Sequence, residues 1–225
     1  MVKTVKRMNR HVEDTLEQIQ NTLQTLNALG LSRSIKNPII SIDGQESIIT
    51  WDNHVSGRHN SGKAFTTINQ YVSIYEAGAY QCILYDGSII RAYLKFDRNI
   101  MKQESFLFWP SPIFIPEEDI DELGIREAVN IYVSTQNSTT TELKMRSPIR
   151  LDFDPTHEKF LHPSTHLHMQ HHECRMSVNR PCCFNTFIKF VFSNFYPDKE
   201  LKEMKKLETL NYSGFELQSD AVISI

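Results

Sequence analysis

The stretch Tyr80-Gln81-Cys82-Ile83-Leu84-Tyr85-Asp86-Gly87-Ser88-Ile89-Ile90-Arg91-Ala92-Tyr93-Leu94-Lys95-Phe96 decides the fold class. Two runs rich in β-branched and aromatic residues meet at Asp86-Gly87, a turn dipeptide because glycine takes positive φ without a Cβ clash. Residues 105–109 supply a third run of the same character. Segments 80–84, 88–96 and 105–109 are therefore expected to form an antiparallel meander. Pro110-Ser111-Pro112 closes it, since proline has no N–H to give to a ladder.

Upstream, Ile39-Ile40-Ser41-Ile42 and Ser47-Ile48-Ile49-Thr50-Trp51 flank Asp43-Gly44, a second hairpin signal. Before them, Val5, Met8, Val12, Leu16, Ile19, Leu23 and Leu26 recur every three or four residues, which predicts an amphipathic helix over 2–29 that stops at Gly30. Lys3, Lys6, Arg7 and Arg10 make its first turns basic. The apolar stripe either packs on the chain's own domain or forms a seam that docks a partner. The organisation expected is a helix at 1–30 and a single α+β domain over 31–225. Residues 53–62 are polar and contain glycine, as a loop does.

Downstream, Pro116 followed by Glu117, Glu118 and Asp119 marks a helix start within 117–134, because acidic side chains suit the positive helix N-terminus. A Ser/Thr/Asn loop at 136–141 precedes strands at 149–153, 165–169 and 175–178. Helices at 184–195 and 199–210 end the chain. Hairpins join the strands where helical crossovers would otherwise recur, so α+β is favoured over a doubly wound α/β fold.

A net charge of −3 and a pI near 6.3 argue against a wholly basic nucleic-acid binder but leave room for a local basic patch. No apolar run approaches the roughly 20 residues needed to span a bilayer. The charged start of the sequence lacks an apolar signal core, so a cytoplasmic protein is expected. Cys82, Cys174, Cys182 and Cys183 then read as reduced thiols.

Three motifs invite chemistry. Gly57-Arg58-His59-Asn60-Ser61-Gly62-Lys63-Ala64 follows phosphate-loop spacing, but Ala64 replaces the hydroxyl that would bind magnesium, so a polar loop is the default. His157, His162, His166, His168, His171, His172 and Cys174 crowd into a short stretch that holds six of the nine histidines. Cys174 with Cys182 or Cys183 and two histidines could make a zinc site, although no recognised zinc spacing is present.

The third motif carries more. In Arg150-Leu151-Asp152-Phe153-Asp154 both carboxylates leave one face of a strand, and in His166-Leu167-His168 both imidazoles do. If these strands are neighbours, Asp152, Asp154, His166 and His168 form one cluster, with His162 and Arg175 nearby. Such a cluster can bind a divalent metal or perform acid–base chemistry on a phosphodiester, with Arg175 steadying the negative charge. The competing reading is a solvated or hydrogen-bonded polar face. The phenylalanines at 184, 187, 190, 192 and 195 have helical spacing and read as core, not as a stacking platform for bases.

Tyr85-Asp86-Gly87-Ser88-Ile89-Ile90, Tyr93 to Phe96, Phe108-Trp109-Pro110-Ser111-Pro112, Arg150 to Pro155, His162-Pro163-Ser164-Thr165-His166-Leu167-His168, Cys174-Arg175-Met176, Phe187 to Phe190 and Asn194-Phe195-Tyr196 follow one another in a fixed order. That order resembles the bacterial family catalogued as domain of unknown function 2290, over roughly residues 71–197. The resemblance implies a protein encoded beside a helicase in anti-phage defence islands. The expected function is a defence subunit with a helicase partner, acting as a nuclease on DNA or RNA through Asp152, Asp154, His162, His166, His168 and Arg175, with no membrane partner. A non-catalytic adaptor that binds nucleic acid or protein, and a toxin-like RNase, are the alternatives.

Overall fold

The computed structural model describes residues 9–52, 54, 67–112, 115–135, 147–159, 161–198, 201–212, 215 and 223. Among them are six helices and nine strands: α1 (Arg10–Ala28), β1 (Ser32–Ile35), β2 (Ile39–Asp43), β3 (Glu46–Thr50), α2 (Ile68–Glu76), β4 (Cys82–Leu84), β5 (Ile89–Asp97), β6 (Ile100–Trp109), α3 (Glu117–Leu123), α4 (Ile125–Thr135), β7 (Ile149–Phe153), β8 (Thr165–Met169), β9 (His171–Ser177), α5 (Phe184–Phe195) and α6 (Leu201–Lys206). The fold is α+β, as the hairpin chemistry implies.

All strands lie in one open antiparallel sheet of order β1-β4-β5-β6-β7-β8-β9, with the β2–β3 hairpin joined through β3 to β5. Gly44 and Gly87 take positive φ at the two turns that their Asp-Gly dipeptides mark. The β5–β6 ladder runs from Ile89↔Trp109 to Asp97↔Ile100, with a register shift between Lys95 and Phe96. This irregularity lets both Met101 and Phe106 reach the same core.

One face of the sheet is covered by α1 and α5. Val12, Ile19, Leu23 and Leu26 of α1 meet Ala92, Leu94, Phe106, Phe108, Leu151 and Leu167 of the sheet, together with Phe184, Phe187, Ile188 and Phe192 of α5. The apolar stripe of α1 is thus consumed by the chain's own core, and Gly30 (φ 67°) ends the helix region. The opposite face carries a second core, in which Tyr71 and Ile74 of α2, Ile120 of α3 and Ile125 and Val129 of α4 pack on Ile83, Ile89, Leu107 and Trp109. That cover stops at Leu107. Beyond it the face is polar.

Three expectations change. The predicted helix over 117–134 is two helices, broken at Gly124, which adopts φ 76°. The last helix is shorter than expected, Leu201–Lys206, and the final strand is longer, His171–Ser177. The basic residues Lys3, Lys6 and Arg7 and the phosphate-loop-like segment from Gly57 to Ala64 lie outside the described residues. Among the described residues no helix is long and apolar enough to cross a membrane.

Candidate active site

Strand register builds the site. In the β7–β8 ladder Asp152 stands opposite His166 and Arg150 opposite His168, and on the other side of β7, Ser105 of β6 stands opposite Asp152. Because side chains alternate across a strand, these residues rise on one face while Ile149, Leu151, Phe153 and Leu167 enter the core beneath. The polar face is thereby fixed to a rigid apolar floor.

Asp152 is the hub. Ser105 Oγ donates to its Oδ1 at 2.7 Å, Arg150 Nε donates to Oδ2 at 2.7 Å, and Arg150 Nη2 lies 2.6 Å from the same oxygen. His168 Nε2 is 3.2 Å from Oδ2 and 3.0 Å from His166 Nε2. His166 Nδ1 sits 2.8 Å from the Pro163 carbonyl oxygen. A carbonyl can only accept, so the His166 ring proton is on Nδ1 and its Nε2 presents a lone pair. An N–H at His168 Nε2 is then shared between that lone pair and the Asp152 carboxylate. His166 and His168 are each 2% exposed, so the two imidazoles are largely shielded from bulk water.

Burial would raise the Asp152 carboxyl, but Arg150 and His168 outweigh it and hold the group well below its ordinary value. Burial lowers His166 to about 4 against the opposing pull of Asp152, with His168 adding to the depression. The ring is therefore neutral near pH 7. His162, whose ring centroid is 4.8 Å from that of His166, is also lowered, by burial and then by Arg175. Neutral imidazoles beside an ionised carboxylate can accept protons or ligate a metal.

These groups line a cleft of about 740 Å³. Its wall includes Arg91 of β5, Arg150 of β7 and Arg175 of β9, together with Trp51, His54 and Tyr93. The Arg91 guanidinium carbon lies 4.2 Å from the centre of the Trp51 ring, a cation–π contact that fixes the side chain. Burial first, and Arg150 second, lower Arg91 to about 9, which leaves it charged at neutral pH. Three guanidinium groups thus stand around one cleft that also holds the Asp152 and Asp154 carboxylates, and Arg150 is paired with Asp152.

The model of the family described as "uncharacterized conserved protein (DUF2290)" matches residues 31–221. The chain belongs to the DUF2290 family. That match contains the whole cleft, from Trp51 to Arg175. No curated protein and no solved structure matches the chain.

Within this DUF2290 chain the sequence-derived residues separate into two groups. Asp152, His166 and His168 come together, each offering a ligand atom within 4.8 Å of the others. His162 and Arg175 line the same cleft beside them. Asp154 also lines it but belongs to a different network. Its Oδ1 accepts from the Thr156 backbone N–H at 3.0 Å. Its Oδ2 lies 2.8 Å from His157 Nδ1 and accepts from Gln103 Nε2 at 2.9 Å. Asp154 therefore shapes the rim and caps the short 3₁₀ turn Pro155–His157.

The cysteine–histidine zinc arrangement is corrected. Cys182 and Cys183 are buried with the core of the helix-covered face, where the Cys182 N–H donates to Glu104 and Cys183 Sγ accepts from the Leu210 N–H. His166 and His168 rise on the other face, and Cys174 is exposed. The side chains of His171 and His172 lie outside the described residues.

Sequence reasoning missed Arg91, Ser105 and the role of Arg150. A period-two reading of 88–96 sets Arg91 and Tyr93 opposite Ala92 and Leu94, so the signal for the first existed. Only the strand order reveals that this face meets the histidines.

Proposed function

We propose that this protein is the nucleic-acid-cleaving subunit of a bacterial anti-phage defence system, cytoplasmic and working with a helicase. The observation that supports cleavage is the convergence of Asp152, His168 and His166 on the floor of a cleft whose cationic wall is Arg91, Arg150 and Arg175. A phosphodiester is the substrate class that suits such a wall, since guanidinium forks match its paired oxygens. Proton transfer falls to the imidazoles, with Asp152 orienting His168 and Arg175 holding the scissile phosphate. On this reading His162, which lines the cleft beside His166, takes the proton from the attacking oxygen. The association with a helicase and with phage defence follows from the family resemblance and supports the choice of polynucleotide among phosphodiesters.

A second reading has its own support. Asp152 is already held by Ser105, Arg150 and His168, as in a polar network that stiffens a binding face. On that reading the chain is a non-catalytic adaptor, and the cleft binds nucleic acid without cutting it. A toxin-like RNase would share the cleft but act without the helicase.

Phage plating separates these readings. Cells carrying the protein and its neighbouring gene are compared with cells carrying a His166→Ala variant, with co-purification of the two proteins as the folding control. Loss of protection with the complex intact is expected. Full protection from that variant would overturn the catalytic reading, and growth arrest by the chain alone would favour the toxin.

A further inference from the structure

The spacing of the three donors at the hub, which hydrogen bonds account for, also suits ligands around one ion. Asp152 Oδ2, His166 Nε2 and His168 Nε2 face one another with edges of 3.2 Å (carboxylate to His168) and 3.0 Å (imidazole to imidazole), and all ligand atoms fall within 4.8 Å. Two imidazole nitrogens that both lie end-on to each other share at most one proton between them. Donors about 2.0–2.1 Å from a common metal ion are separated by about 2.9 Å at a right angle and about 3.3 Å at a tetrahedral angle. The two edges through His168 lie in that interval, and the third, between Asp152 and His166, is within 4.8 Å.

The surroundings fit the same ion. His166 donates its Nδ1 proton to the Pro163 carbonyl at 2.8 Å, the outer bond that fixes which nitrogen of a metal-bound histidine is bare. Ser105 does the equivalent for the carboxylate through Oδ1, which leaves Oδ2 directed at the imidazoles. His168 carries its proton on Nε2 in the hydrogen-bonded network and must hold it on Nδ1 to ligate. That proton and Arg150, whose guanidinium occupies Oδ2, are the groups an ion displaces.

We propose that Asp152 Oδ2, His166 Nε2 and His168 Nε2 bind one first-row divalent metal ion, with Arg150 competing for the carboxylate oxygen. Two imidazole nitrogens and one carboxylate oxygen favour ions such as zinc and cobalt over magnesium and calcium, which prefer all-oxygen shells. Three protein ligands leave at least one coordination position facing the cleft, as in catalytic and not structural sites. Arg150, when displaced from Oδ2, remains on the same face to meet a substrate anion. As a cofactor for cleavage the ion rests on the proposed nuclease function. As a binding site it rests on the donor geometry alone.

The test is titration of the chelator-treated full chain with Co²⁺, followed by visible absorption and calorimetry, with Zn²⁺ and Mg²⁺ in parallel. One equivalent of Co²⁺ is expected to bind with a ligand-field band in the visible range, Zn²⁺ is expected to displace it, and Mg²⁺ is not. His166→Ala and His168→Ala are expected to weaken binding by more than about 100-fold, beyond what loss of an outer partner costs. Ser105→Ala is expected to weaken it by about 10–100-fold, and Asp154→Asn to leave it unchanged. Far-ultraviolet circular dichroism identifies any variant that fails to fold, in which case Ser105→Ala, which keeps all three ligands, decides. No saturable Co²⁺ binding by the wild type, or equal binding by the folded histidine variants, would overturn the proposal. Metal binding without nucleic-acid cleavage would leave this site standing and remove the nuclease reading. Cleavage that persists in chelator would do the reverse for the cofactor role.

Discussion

The two faces of the sheet are made by the same strands and serve opposite ends. On β7, Ile149, Leu151 and Phe153 are buried against α5-side partners, while Arg150, Asp152 and Asp154, one residue along, line the cleft. On β6, Phe106 stacks on Phe187 at 5.4 Å between ring centres, and its neighbour Ser105 holds Asp152. A strand that is anchored by one row of side chains can present the other row with little freedom, which is what a site needs. Along β6 and β7 the α5-covered side therefore anchors the strands, and the cleft side carries specific polar chemistry.

The largest effect should come from breaking the covered face. Phe106 is fully buried between α5 residues and the sheet, so Phe106→Ala should cost about 3–5 kcal/mol in urea unfolding, the usual range for a buried phenylalanine. A cost near that of a surface substitution would mean the core is not where the account puts it.

Glu104 sharpens the comparison, because it is a carboxyl group on the core face. It lies on the core side of β6, 2% exposed, accepting the Cys182 N–H at 3.3 Å. Burial raises its pKa well above the ordinary carboxyl value. The folded chain thus keeps a proton that the unfolded chain releases, so stability is full below the ordinary carboxyl pKa and falls as pH rises toward the raised value. Glu104→Gln keeps an oxygen acceptor for the Cys182 N–H and removes the titration. It should be more stable than wild type at pH 8, with the difference closing toward pH 4, as read by denaturant midpoints across pH. A gap that widens on acidification would contradict the assignment.

The smallest effect belongs to the rim. Asp154 pairs with His157, whose side chain is 72% exposed, so Asp154→Asn should change stability by less than about 1 kcal/mol. A larger loss would make the rim part of the structural floor.

How much of this was legible varies with the physics involved. The Asp43-Gly44 and Asp86-Gly87 turns, the strands around Leu151 and Leu167 and the helix Phe184–Phe195 follow from local rules, and the structure has them. Asp152 and His166 could be placed together because their strands are sequential and joined by a short connection, so the pairing was the simplest one available. Arg91 is some sixty residues from Asp152 in sequence. It joins the cleft only through the β5–β6–β7 order, which no local pattern encodes. The helix α2 escaped notice although Thr67 and Gln70 form a capping box at its start, because the polar segment before it masked the signal. The break at Gly124 was a visible glycine inside an expected helix, and its positive φ is the reason the helix divides.

The proposed nuclease activity is read by incubating end-labelled single- and double-stranded DNA and RNA with the purified chain, with and without the proposed helicase partner, in Co²⁺ or Zn²⁺. Wild type is compared with Asp152→Asn and His166→Ala variants shown by circular dichroism to be folded. The account predicts cleavage by wild type and a loss on the order of 10²–10⁴-fold in each variant, the scale of removing an acid–base group. No cleavage of any substrate by the wild-type complex, or cleavage undiminished in both variants, would contradict it.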